Sequence, residues 1–419
     1  KLAADDNGNQ SLTVNGVPVA LYGINYNEHS AVTGAYVSYE ELEADVKRLK
    51  ELNVNAVRSA GRPLSIDFLN LCDEYGLYVI DDMNLASKPS SNLGDQSIPG
   101  DQSIWQGAII DRLTSVVERD KNHPAVIVMA IGSESGSGSE FTILKNHLQG
   151  ADPSRYIMYD GMDDAADILV EVNPDFNAVY EYLNSGNTKK PMILHNTALG
   201  LLNGAGNLAT YTDLIAENDR VQGAFLGNYI DYAIYYPTDI SAVRDTFKNT
   251  PYAENMNLYQ LTYSGTGAWG EAEKYASGSA ALSGIVSADR TEQSDAAEIK
   301  RAYSPSVITA ENLSAGQFKV ENRNMFRNLE DHYVIEYRIS RGAQEVAAGT
   351  VEGLSAAAGQ SASFTVPYGG LEANAEYFID FTVKYKNAPA WAAADTVVTA
   401  EQFDITAFAS MPKNAVSST

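Results

Sequence analysis

Along the first three hundred residues, unbroken apolar runs alternate with stretches whose apolar positions recur every three or four residues. Two apolar arms flank Asn15-Gly16 between Leu12 and Leu21. That dipeptide favours a tight hairpin, because both residues tolerate positive φ. Tyr22–Asn25, Asn55–Arg58, Leu77–Asp81, Ala125–Ile131, Tyr156–Tyr159, Asp167–Val172, Pro191–His195 and Val221–Leu226 read as strands. Their continuous rather than alternating apolar character is that of strands buried on both faces. Ser38 and Glu41 form a capping box ahead of a helix that puts Leu42, Val46, Leu49 and Leu52 on one face. Further helices are predicted over Ile66–Tyr75, which Gly76 ends, and over Ile104–Arg119, Phe141–Leu148, Phe176–Leu183, Ala209–Glu217 and Ala296–Tyr303. Strands interleaved with helices in this way predict a (β/α)₈ TIM barrel over residues 1–304.

Near Pro305 the period changes to two. Gln317–Val320, His332–Tyr337 and Glu376–Tyr385 alternate, with turn signals at Gly342, Gly359 and Gly369-Gly370. This predicts an all-β, immunoglobulin-like sandwich over 305–406, followed by a tail, 407–419. A long connection from Met83 to Gln102 carries GDQSI, which recurs at Gly100–Ile104; it reads as a solvated insertion.

A net charge of -25 opposes nucleic acid or anionic membrane as a partner. No apolar run is long enough to insert in a bilayer. The single cysteine, Cys72, precludes an intrachain disulfide and reads as a buried small hydrophobe on a helix. A polar start at Lys1, few cysteines and abundant Tyr, Asn, Ser and Gly point to a processed or excised chain that is secreted or held at a bacterial cell surface.

Glu134 lies just past the Ala125–Ile131 strand, and the C-terminal ends of barrel strands are where chemistry sits. The surrounding run, RDKNHPAVIVMAIGSESG from Arg119 to Gly136, resembles the acid/base motif of family 2 glycoside hydrolases, the β-galactosidase and β-glucuronidase group. Met129 stands at that motif's Trp position and Ser133 at its Asn. LTVNGVPVALYGINYNEH, Asn55-Ala56-Val57-Arg58, Leu71–Val79, Asp152–Arg155 and Ala288–Thr291 resemble further segments of the same barrel. Ala390-Trp391-Ala392 and Glu401-Gln402-Phe403 resemble the immunoglobulin-like domain that follows it. The sugar-binding jelly roll and the first immunoglobulin-like domain that precede the barrel in the family have no counterpart, which would leave faces available for assembly.

The resemblance implies a retaining mechanism with two carboxyls about 5–5.5 Å apart. Glu134 takes the acid/base position. Asn196, in Ile193-Leu194-His195-Asn196-Thr197, takes the nucleophile's position, and an amide is a very poor nucleophile. Ala86 and Lys88 replace two residues that ligate magnesium in the family, and Lys88 would repel a divalent cation. No metal and no cofactor is therefore expected. Gly61, Asn173 and Gly227 fall where the family has a substrate-contacting His, a Tyr and a Trp. Glu28, His29, Asp82, His195 and Asp231 remain as candidate substrate-binding residues. Tyr229, Tyr232, Tyr235 and Tyr236 read as cover for the barrel rim. The expected function is a β-galactosidase-like module without glycosidase activity, kept for carbohydrate binding or for a structural, self-associating role. The alternative is a working retaining β-glycosidase that pairs Glu134 with an unconventional second carboxylate, Asp82 or Asp231.

Overall fold

Asn15 and Gly16 both take left-handed backbone (φ 52° and 83°), as a two-residue hairpin turn requires. They join β2 (Gln10–Val14) to β3 (Val17–Pro18), and β1 (Leu2–Ala4) pairs with β2 on the other side. The structure is a computed structural model. It describes residues 1–88, 97–186, 188–197, 206–237, 259–263, 283–368, 370–372 and 375–406, with 234–237 and 259–263 as backbone only. The chain divides into two compact units, Lys1–Ala302 and Tyr303–Thr419.

In the first unit the predicted barrel forms. In chain order it contains β4 (Leu21–Asn25), α1 (Tyr39–Glu51), β5 (Ala56–Arg58), α2 (Ile66–Tyr75), β6 (Tyr78–Asp82), α3 (Gln106–Asp120), β7 (Val126–Ala130), α4 (Ser139–Ala151) and β8 (Tyr156–Met158). It continues with β9 (Leu169–Val172), α5 (Phe176–Ser185), β10 (Met192–Thr197), α6 (Leu208–Glu217) and β11 (Val221–Ile230). Every neighbouring pair is parallel, and β11 returns to β4. A parallel bridge between Met158 and Ile168 links β8 to the approach of β9 and completes the ring. The Ser38–Glu41 capping box is made on both sides, and Gly76 closes α2 in the left-handed conformation.

Side-chain volume fills the barrel. A Cβ on Gly23 would lie 2.4 Å from the Phe225 ring, so only glycine lets β4 run past this fully buried phenyl of β11.

Some local expectations need correction. β11 continues past Leu226 to Ile230. An antiparallel pair, β12 (Ala233–Pro237) and β13 (Tyr259–Tyr263), follows it, and β14 (Gly284–Val286) lies parallel to its end. The last barrel helix is α7 (Asp295–Ala302). Tyr229 is not on the rim. It is buried and donates to Asp45 Oδ1 (3.2 Å) beside Tyr26, which donates to Oδ2 (2.9 Å). The side chains of Tyr235 and Tyr236, and part of the first GDQSI copy, lie outside the described residues.

The second unit is two antiparallel sheets. One contains β15 (Ser306–Asn312), β16 (Gln317–Asn322) and β19 (Ser361–Thr365). A short helix, α8 (Leu329–His332), leads into the other, which contains β17 (Tyr333–Arg341), β18 (Gln344–Thr350), β20 (Tyr377–Tyr385) and β21 (Val397–Asp404). The inward side chains Phe318, Val320, Ile379, Phe381 and Val383 are fully buried, with Phe318 and Phe381 edge to face at 4.7 Å. The period of two in the sequence is this inside/outside alternation.

Candidate active site

Arg58, the last residue of β5, is completely buried, and a guanidinium in that position needs partners for every N–H. Nε and Nη2 grip Asp82 at the end of β6 (3.2 and 3.0 Å). Nη1 donates to His195 Nδ1 on β10 (2.6 Å). Nη2 also faces Asp160, just beyond β8, at 3.8 Å. Asp82 takes two further bonds: Gly61 N donates to Oδ2 (2.8 Å), and its own amide donates to Ser59 Oγ (2.6 Å). Both Asp82 oxygens are thus engaged.

Glu134 leaves the barrel wall in a left-handed conformation (φ 46°). The turn is held from below. Glu134 N donates to Asp160 Oδ1 (2.9 Å), and Ser133 Oγ to Asp160 Oδ2 (3.3 Å). Above, Lys88 Nζ lies 2.5 Å from Glu134 Oε1, with the lysine side chain 71% exposed and the glutamate 35%. Burial raises the Asp160 carboxyl above the usual carboxylate range; nearby Asp82 and Glu134 push the same way, and Arg58 opposes.

His195 is neutral for two reasons that agree. Burial, then the charges of Arg58 and Lys88, drive its pKa well down. Arg58 also donates to Nδ1, which leaves the ring proton on Nε2. That Nε2 is buried and has no hydrogen-bond partner among the described residues. Asn196 is the extra residue of a bulge, since the β10–β11 register steps from His195↔Phe225 to Thr197↔Leu226. Its φ is 54°, and its Oδ1 accepts from Asn25 Nδ2 (2.8 Å).

Arg58 and Asp160 therefore tie together Glu134, Asp82 and His195, with Asn196 next to His195. The remaining candidates are held in other contacts. Glu28 Oε1 accepts from Ser65 N at the start of α2 (2.8 Å), and its carbonyl accepts from Arg62 Nη2 (2.8 Å). His29 Nε2 donates to the Ala233 carbonyl (2.6 Å) with its ring edge-on to Tyr232. Asp231 accepts from Gly284 N and from Gln293 Nε2, both at 2.8 Å.

Sequence reasoning missed Asp160, although it follows the end of β8 as Glu134 follows β7. It saw Arg58 only as part of a matching segment. Among the described residues no three His, Cys, Asp or Glu side chains gather as a cation site. The residues do not fit the divalent metal that the family resemblance implies. Ala86 offers no ligand, and the Lys88 ammonium already contacts Glu134.

Residues 7–308 match the TIM barrel domain of family 2 glycosyl hydrolases, and residues 318–406 match domain 4 of β-galactosidase. The chain is 30% identical to a β-galactosidase of Priestia megaterium over 96% of its own length and 38% of that protein. It is 30% identical to β-galactosidase BgaC of Bifidobacterium adolescentis over 92% of its length and 36% of that protein. It thus spans well under half of the curated relatives it matches. A β-glucuronidase from Bacteroides uniformis superposes with a TM-score of 0.53 at 15% identity, covering 97% of this chain and 48% of that one, a likeness of fold. With a matched barrel, a matched following domain and Glu134 at the mouth, the chain belongs to glycosyl hydrolase family 2 and is β-galactosidase-like.

Proposed function

We propose that this chain is a β-galactosidase-like module that has lost the retaining mechanism and keeps the barrel mouth for binding carbohydrate. One observation supports the reading above all others. Asn196 stands where the family resemblance puts the nucleophile, and the two carboxylates that might substitute, Asp82 and Asp231, are buried side chains with a hydrogen bond on each oxygen. A nucleophile must reach the anomeric carbon, and Asp82 and Asp231 are 0% and 3% exposed, turned toward Arg58 and Gly61 in one case and toward Gly284 and Gln293 in the other. Asp160 is no better placed. Its side chain is 2% exposed and holds the Glu134 turn. Glu134 keeps partial exposure at the mouth, where a neutral ligand can still reach it.

The test is hydrolysis of aryl β-galactoside, β-glucuronide and β-glucoside by the chain and by Glu134→Gln in parallel. The expected result is no turnover above background from either. Turnover that Glu134→Gln abolishes would overturn the proposal and establish a second working carboxylate. Calorimetric titration with methyl β-galactoside, of the chain and of Glu134→Gln, then separates the two roles: binding that Glu134→Gln weakens belongs to the mouth, and its absence with self-association by light scattering indicates an assembling module.

A further inference from the structure

The sandwich unit carries a groove of about 360 Å³ at one end, between residues 323–332, which finish in α8 before β17, and the loop of residues 386–396 after β20. One wall is aromatic. Trp391 donates from Nε1 to the Tyr385 hydroxyl (3.1 Å), and the two rings stand almost perpendicular, at 79° with centroids 6.2 Å apart. That bond fixes the plane of the indole. Trp391 packs partly against the sandwich core and remains only half-buried. The other walls are polar. Arg327 sets its guanidinium over part of the indole, the carbon 5.8 Å from the ring centre, and Asp331 and Asn387 are exposed at the edge. His332 is half-buried, and burial lowers its pKa, so it is uncharged at neutral pH.

The chemistry of this set is selective. A flat apolar wall favours a ligand with a face of C–H bonds. Guanidinium, carboxylate, amide and imidazole offer both donors and acceptors on planar groups, which suits vicinal hydroxyls that give and take hydrogen bonds at once. A phosphate or carboxylate ligand would meet Asp331, and a cation would meet Arg327. From this arrangement we infer that the groove around Trp391 is a binding site for a neutral pyranoside, separate from the barrel mouth and independent of the function proposed for it. Its volume lies in the range of small-ligand pockets. Weak, millimolar affinity is expected from one stacking platform with exposed polar groups.

The experiment follows the three tryptophan indole N–H signals of the full chain by NMR, with Trp391→Phe assigning one of them. Methyl β-D-galactopyranoside and methyl β-D-glucopyranoside are added up to about 50 mM, well past a millimolar dissociation constant. Saturable movement of the Trp391 signal is expected with at least one of them. Asn387→Ala and Asp331→Ala should each weaken it by about tenfold at unchanged melting temperature, and Glu134→Gln should leave it unchanged. Absence of movement with both sugars, movement that both groove variants retain, or movement lost in Glu134→Gln would each overturn the inference.

Discussion

Arg58 Nη1 and His195 Nδ1 lie 2.6 Å apart inside the barrel, and the contact fixes the imidazole as an acceptor toward the guanidinium. A protonated ring would set two cations against each other with almost no water between them, since His195 is 3% exposed. Its folded pKa is far below that of a free histidine, about 6.5. The unfolded chain therefore takes up a proton that the folded chain refuses, and stability falls as pH drops below about 6.5. Urea denaturation at pH 7.5 and 5.5 should show this loss. His195→Gln, which cannot titrate, should show a smaller one.

Arg58 is the common partner of three groups, so its removal strands more than one. Arg58→Ala leaves Asp82 buried without its counter-ion and is expected to cost about 3–5 kcal/mol in urea denaturation. Arg58→Lys should recover only part of that, because one ammonium cannot span Asp82 and His195 as the fork does.

The Lys88–Glu134 pair should behave differently. Lys88 is mostly in water, and an exposed ion pair is screened and contributes between about 0 and 1 kcal/mol. Lys88→Met is expected to leave the melting temperature within about 2 °C of the parent. A larger drop would mean that the pair supports the turn at Glu134 as Asp160 does.

Cys72 is fully buried on α2, and burial pushes its thiol pKa well up. A thiol without thiolate character or access is inert. The native chain should not react with a colorimetric disulfide reagent at pH 8, and unfolding in guanidinium should release one thiol per chain.

The barrel was legible because its strands are buried on both faces and write themselves as apolar runs. The sandwich was legible because its strands are not. What escaped lies where polar residues are determined by partners far away in sequence. Arg58 meets Asp82 and His195 across the barrel interior, and nothing local to residue 58 announces it. Asp160 follows a short strand without a distinctive motif, and its role shows only when the Glu134 amide is seen to point at it. Tyr229 looked like rim because the tyrosines around it are polar-tipped. Asp45, on α1, gives its hydroxyl a buried acceptor that the local sequence cannot reveal.

Around the mouth, Ala60, Glu134, Asn173 and Asn196 all take left-handed backbone, with φ between 36° and 54°. Asparagine tolerates that conformation and glutamate does so less readily. Replacing Glu134 by Gly or Asn would relieve strain of about 1 kcal/mol. Laboratory selection for heat resistance would therefore tend to erase this carboxylate early, whereas selection for sugar turnover would have to keep it. The direction in which residue 134 drifts under each pressure would distinguish a side chain that merely occupies the turn from one that the turn exists to present.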